Sequence, residues 1–125
     1  MIVTTFSLGL IGLGLTFASQ EFLIYFSVKD NAIITALIQL LGALYLGFSI
    51  MNWMAKDALF GGIYNKPLVI GNFMHFGSGA LALIKMAIRT ENVPESIIAT
   101  TFIYSILALS FAYLFFNNPK SVSKN

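Results

Sequence analysis

One histidine and three side-chain amides carry most of the chemistry available to this chain. His75 is the only histidine, and it follows Asn72 by one helical turn in the apolar run GNFMHFGSGALALIK. Asn52 and Gln39 lie in the preceding apolar run. An ionisable side chain inside a membrane span is costly and marks a functional site by default. His75 could accordingly ligate haem, relay protons or bind a metal.

Metal and haem binding each need further ligands beside His75, and the sequence offers few candidates for them. A metal site takes about three protein ligands, and no carboxylate lies near His75 in its apolar run. Haem usually takes a second axial ligand, which one histidine supplies only when two subunits pair. We therefore predict no resident cofactor and no metal, and keep haem on His75 as an alternative. The favoured interpretation is a neutral His75 that hydrogen-bonds across a helix bundle.

Catalysis is the least favoured role. Hydrolysis needs a nucleophile beside a positioned base, and no Ser-His-acid spacing is evident. The chain has no cysteine, which excludes thiolate catalysis, Fe–S clusters and Cys-type zinc sites. No phosphate-binding loop or nucleotide fingerprint occurs. We predict that the protein is not an enzyme.

The composition indicates the solvent in which these residues work. Of the 125 residues, 58% are hydrophobic and 10% are charged, whereas soluble domains are about a quarter charged. One small core cannot bury so much apolar surface, so we predict that lipid surrounds the chain. The seven Lys and Arg residues are scattered, which argues against nucleic acid as a partner.

Four apolar segments are long enough to cross the ~30 Å hydrocarbon core, which needs about 20 helical residues. They cover residues 2–26, 32–55, 67–88 and 96–116, and a polar tail follows at 117–125. The first segment reaches Phe26 only if it continues beyond Ala18. No period-2 alternation is present, and backbone groups in lipid must then pair within helices. The predicted fold is all-α, an antiparallel up-down four-helix bundle in residues 1–116.

Polar residues mark the borders of these segments. Asp30 or Asn31 is predicted to cap the second segment. Asn92, three residues before Glu95, is predicted to form a capping box at the start of the fourth. The first segment is predicted to remain uncleaved, because no basic residue precedes Lys29 as a signal peptide would require.

The basic residues also bear on orientation. Four lie on the side of the termini and three on the other side: Lys56, Lys66, Lys120 and Lys124 against Lys29, Lys85 and Arg89. Under the positive-inside rule this bias of four to three favours a cytoplasmic position for both termini. The membrane that we predict is a bacterial inner membrane.

Small residues suggest which helix faces pack together. Around the third segment, at 100° per residue, one face is small and polar and is predicted to face protein: Gly71, Asn72, His75, Ser78, Gly79, Ala82 and Met86. The opposite face is bulky and apolar: Val69, Ile70, Phe73, Leu81 and Ile84. In the first segment, Gly14 and Ala18 have the small-xxx-small spacing of a helix contact.

Depth groups the polar residues further. Asn52 and Asn72 each lie roughly 6–8 Å inside the same membrane border, and His75 lies about one turn deeper. With Tyr45 nearby, these residues are predicted to line a polar intramembrane pocket for a small ligand. A second group, Glu21, Gln39 and Lys85, lies towards the opposite surface and would serve a proton or ion pathway.

Residues 61–85, GGIYNKPLVIGNFMHFGSGALALIK, resemble an element of small four-span bacterial membrane proteins of the DoxX-like kind. The resemblance implies the four-helix architecture and carries over no activity or binding residue. We predict a non-enzymatic accessory or small-ligand-binding membrane module, with a homodimer or larger membrane complex as its assembly. The alternatives are a small transporter or proton-linked channel that acts as a dimer, and a haem-binding redox subunit.

Overall fold

The computed structural model describes residues 1–29, 31–57 and 65–117. These residues form five helices and no strand: α1 (Ile2–Phe17), α2 (Ser19–Tyr25), α3 (Ala32–Met54), α4 (Asn65–Arg89) and α5 (Glu95–Phe116). The predicted all-α fold is confirmed. Most of the predicted polar tail lies outside the described residues, and so does the middle of the connection between the second and third predicted segments.

Three helices, α3, α4 and α5, are each long and apolar enough to cross a membrane. The predicted first segment differs from expectation, because it is divided at Ala18 into α1 and α2. These two helices are bent by 91° and provide a fourth crossing if the bent pair counts as one span. The φ and ψ angles of Ala18, −116° and 35°, leave the helical region while its N–H still donates to the carbonyl of Gly14.

The chain divides into two compact units, Met1–Asp57 and Ala58–Asn125. In the first unit, called the first hairpin, α1 packs along α3 and α2 contacts both helices. In the second unit, called the second hairpin, α4 packs along α5. Each hairpin is described by itself below.

Glycine allows the backbones of α1 and α3 to meet in the first hairpin. A Cβ atom at Gly42 would lie 2.7 Å from the backbone N of Thr16 and 2.9 Å from the carbonyl O of Gly12. A Cβ atom at Gly12 would lie 2.9 Å from the carbonyl O of Gly42. Close contacts of this kind between small residues are typical of helices that pack in lipid, where no hydrophobic push acts between them.

A buried hydrogen bond joins the same two helices nearer the N-terminus of α1. The Ser49 hydroxyl donates to the carbonyl O of Thr5 over 2.7 Å. Since Thr5 pairs with Ser49 and Gly12 with Gly42, α1 and α3 run antiparallel. The predicted contact at Gly14 is different: a Cβ there would meet the ring of Phe22 in α2 at 3.4 Å, not α3.

The buried face of α4 in the second hairpin is not centred on the small, polar face that the sequence predicted. Its buried residues recur every three or four positions: Asn65, Val69, Asn72, Phe76 and Ala80. Val69 was assigned to the bulky outer face and is buried, whereas Ser78 was assigned to the inner face and is exposed. The centre of the buried face is Phe76, about 100° around the helix from His75. Aromatic packing, not residue size, decides which side of α4 faces α5.

Two of the predicted helix caps can be compared with the structure. Asn31 caps α3, because its side-chain oxygen accepts from the backbone N–H two residues on at 2.8 Å. This confirms one of the two candidates, and the other, Asp30, lies outside the described residues. The predicted capping box of Asn92 and Glu95 is wrong, since Pro94 is the N-cap of α5 and no side chain caps it. The rigid φ of proline starts this helix in place of a side-chain acceptor.

Candidate polar site

Asn72 is the most deeply buried polar residue of the second hairpin. It is 0% exposed, and its Nδ2 donates to the carbonyl O of Leu68 over 2.9 Å. Asn52 of the first hairpin repeats this arrangement, with 0% exposure and an Nδ2 donation to the carbonyl O of Phe48 over 2.9 Å. Each amide therefore satisfies part of its hydrogen-bonding capacity on its own helix, as short polar side chains do.

His75 lies at the edge of an aromatic group between α4 and α5. Its ring centroid is 5.8 Å from that of Tyr104, with an interplanar angle of 48°, and 5.0 Å from that of Phe76. Phe76 in turn meets Tyr104 edge-on at 5.2 Å and stacks on Phe111 at 5.9 Å. Phe76, Tyr104 and Phe111 are buried and His75 is half-buried. The imidazole is thus the outermost ring of an otherwise enclosed set.

Gly79 fixes the position of the Tyr104 ring. A Cβ atom at Gly79 would lie 2.6 Å from Cε1 and 2.7 Å from Cδ1 of Tyr104. The ring therefore rests against the α4 backbone, one turn from His75. Tyr104 is 4% exposed, and a buried phenol ring in contact with an imidazole gives the site both an apolar surface and hydrogen-bonding groups.

The structure brings together some of the predicted ligand-binding residues. Asn72 and His75 lie on successive turns of α4, and His75 contacts Tyr104. Asn52 and Tyr45 lie two turns apart on α3, in the first hairpin, with Asn52 buried and Tyr45 half-buried. The four predicted residues are therefore divided into two pairs, one in each hairpin.

The sequence did not identify Phe76 and Tyr104 as site residues. Tyr104 lies on one line of the fourth segment with Thr100, Thr101 and Ala108, and this grouping of small and polar residues was the available signal. Phe76 gave no comparable signal, since one phenylalanine among twelve in the chain has no distinctive type or spacing. Only the packing of α4 on α5 shows that both rings lie beside His75.

The second predicted group, Glu21, Gln39 and Lys85, is also divided. Glu21 is exposed on α2 and Gln39 is exposed on α3, while Lys85 is exposed on α4 of the second hairpin. The Gln39 Nε2 donates to the Ser19 hydroxyl over 3.4 Å. Gln39 and Glu21 therefore both lie close to the break between α1 and α2.

Four hydroxyl groups of α5 are used within the helix. Each of the four donates to the backbone carbonyl four residues earlier, over 2.7 to 2.8 Å, and the donors are Thr100, Thr101, Ser105 and Ser110. Local bonds of this kind let polar residues lie in an apolar helix at small cost. In the part of the chain that the structure describes, no group of three or more His, Cys, Asp or Glu could hold a metal ion.

Comparison of the chain with protein-family models, with curated proteins and with solved structures finds no match in any of the three. The functional conclusion therefore depends on the helices and on the site described above.

Proposed function

We propose that the chain is an integral membrane protein that crosses a bacterial inner membrane four times, with both termini in the cytoplasm. Three long apolar helices and the bent α1–α2 pair support the crossings. The bacterial setting is inferred from the resemblance of residues 61–85 to small DoxX-like membrane proteins. Within that membrane the protein acts as a non-enzymatic accessory or small-ligand-binding module, as a homodimer or in a larger complex.

The observation that carries this proposal is the position of His75. Its half-buried imidazole lies against Tyr104, and it follows the fully buried Asn72 by one turn in an apolar helix. Ligand sites in proteins combine apolar and aromatic walls with a few placed polar groups. This site suits a flat, largely apolar molecule that carries one polar group. Such a guest would lie against the half-buried imidazole at the edge of the aromatic set and hydrogen-bond to it.

Replacing His75 by phenylalanine tests the proposal directly. Phenylalanine keeps an aromatic ring and removes both ring nitrogens. Since a hydrogen bond in a membrane contributes about 1–2 kcal/mol, occupancy by a small guest should fall about tenfold at a subsaturating level. The measurement is native mass spectrometry of the full chain released from nanodiscs that contain its own lipids.

Ser78→Ala is the matched control. Ser78 lies one turn after His75 on the same helix, is exposed, and donates its hydroxyl proton to the carbonyl of Met74 in its own helix. We expect the guest to be retained in this variant as in the wild type. Equal occupancy in His75→Phe and Ser78→Ala, or no bound molecule in any spectrum, would rule out a ligand site at His75.

One observation favours the alternative of a transporter that acts as a dimer. The α1–α2 break lies beside Glu21 and Gln39, and transporters use discontinuous helices to place polar groups at membrane depth. Four α5 hydroxyls count against this alternative, because each of them already donates to a carbonyl of its own helix. We therefore keep the ligand-binding proposal ahead of it.

A further inference from the structure

The two long helices of the first hairpin differ in length. α1 has 16 residues and α3 has 23. At 1.5 Å per residue these lengths are about 24 Å and about 34 Å, and the hydrocarbon core is ~30 Å thick. α3 can therefore cross the membrane, whereas α1 ends before it has crossed a core of ordinary thickness.

The contacts between the helices locate the end of α1 relative to α3. α1 and α3 pair at Gly12 and Gly42, and beyond that contact Ser19 accepts a hydrogen bond from Gln39. Gln39 lies seven residues after Ala32, the first residue of α3. The chain consequently turns into α2 about 10 Å below the start of α3.

The residues of α2 are not those of a helix immersed in acyl chains. Leu23 and Ser19 are buried, and the exposed residues are Gln20, Glu21, Ile24 and Tyr25. A carboxylate among acyl chains is expensive, and tyrosine is enriched at the membrane–water interface. This mixture of polar, aromatic and aliphatic side chains is typical of a helix at the interface.

The part of α3 that extends beyond the bend has two different sides. Gln39 lies on the side of Ser19, and Thr35, one turn earlier, shares that side. Leu37 lies about 160° around the helix from Gln39 and is 60% exposed. One side is therefore polar and near α2, and the other is apolar and open to lipid.

We propose that α2 is an interfacial helix and that the bilayer border dips to meet it on this side of the first hairpin. The partner is the headgroup layer of the bilayer itself, with its water. Headgroups reach Glu21 and Gln39, about 10 Å below the start of α3, while acyl chains still cover Leu37. Local thinning is an ordinary response to a short hydrophobic helix, and it allows α1 to complete its crossing.

Single cysteines test this directly, because the chain has none of its own. Glu21→Cys and Gln39→Cys report on the polar side, Leu37→Cys on the apolar side, and Lys29→Cys is the positive control since Lys29 is exposed between α2 and α3. The full-length variants are labelled with a membrane-impermeant maleimide in right-side-out and inside-out membrane vesicles. Only a hydrated thiolate reacts, so Glu21→Cys and Gln39→Cys should react at least about tenfold faster than Leu37→Cys. They should do so from the same face as Lys29→Cys.

Leu37 is the informative control, since it lies nearer the start of α3 than Gln39 and would be labelled first if depth alone decided access. Labelling at Glu21→Cys or Gln39→Cys as slow as at Leu37→Cys would overturn the proposal. Fast labelling at Leu37→Cys would overturn it as well, because the whole end of α3 would then lie in water. Equal labelling of all variants in denaturing detergent verifies that each thiol is intact. Glu21→Cys leaves the Ser19–Gln39 bond in place, so the test does not depend on the Gln39 variant alone.

Discussion

Replacing Gly42 by leucine should separate α1 from α3 and lower the free energy of unfolding by about 3 kcal/mol, the upper range for an overpacked site. The first atom of any side chain at position 42 would already lie 2.7 Å from the backbone N of Thr16 and 2.9 Å from the carbonyl O of Gly12. Backbone atoms of a helix cannot rotate away as a flexible side chain can. The only relief is to move the helices apart, which also removes the hydrogen bond between Ser49 and Thr5.

Gly47→Leu is the matched control for this prediction. Gly47 lies on the same helix, and a Cβ atom there meets nothing within 4 Å. We expect its unfolding free energy to change by less than about 0.5 kcal/mol, as is usual at an unpacked surface position. Reversible unfolding in mixed micelles, followed by circular dichroism, gives both values. Equal destabilisation by the two leucines would show that the contact between Gly12 and Gly42 does not hold the first hairpin together.

In the second hairpin, two glycine-to-alanine substitutions on α4 should change the free energy of unfolding in different directions. Gly79→Ala places a methyl group 2.6 Å from Cε1 of Tyr104, and the ring is enclosed by Phe76 and His75. We expect a loss of about 2 kcal/mol, within the range for overpacking. Gly77→Ala meets nothing within 4 Å, and it should be neutral or stabilise α4 by up to about 1 kcal/mol through helix propensity.

A double-mutant cycle distinguishes a clash with the ring from a general effect of alanine at position 79. In a Tyr104→Ala background the ring that would meet the new methyl group is absent, so Gly79→Ala should no longer destabilise the protein. The coupling energy should be about 1–3 kcal/mol, the range for residues in contact. Additive effects of the two substitutions would mean that Tyr104 does not rest against Gly79.

Much of the fold could be predicted because it depends on local properties of the sequence. Long apolar runs without alternation require helices in lipid, and Asn31 caps α3 through a bond to a residue two positions away. The break at Ala18 is different. It coincides with a contact between Ser19 and Gln39, which are twenty positions apart, and no periodicity within the run TFASQEFLIYF reveals that partner.

The packed faces were harder to predict than the helices, because the rotation of a helix depends on its neighbour. Small residues in the first segment pointed to Gly14, whereas the close contact is made by Gly12 with Gly42. On α4 the same reasoning placed His75 at the centre of the inner face. Phe76 occupies that centre instead, because it has aromatic partners on α5 in Tyr104 and Phe111. His75 is thereby left at the edge of the aromatic set, half-buried.

The number of membrane crossings is the claim on which the proposed function and topology depend, and the positions of the two chain ends measure it most directly. Protease digestion of epitope tags at each end, in intact and in permeabilised spheroplasts, reports the side of each. If the bent α1–α2 pair crosses with α3, α4 and α5, both tags should resist digestion in intact spheroplasts and be cleaved only after permeabilisation. Tags on opposite sides would mean three crossings and would contradict a first hairpin that crosses the membrane twice.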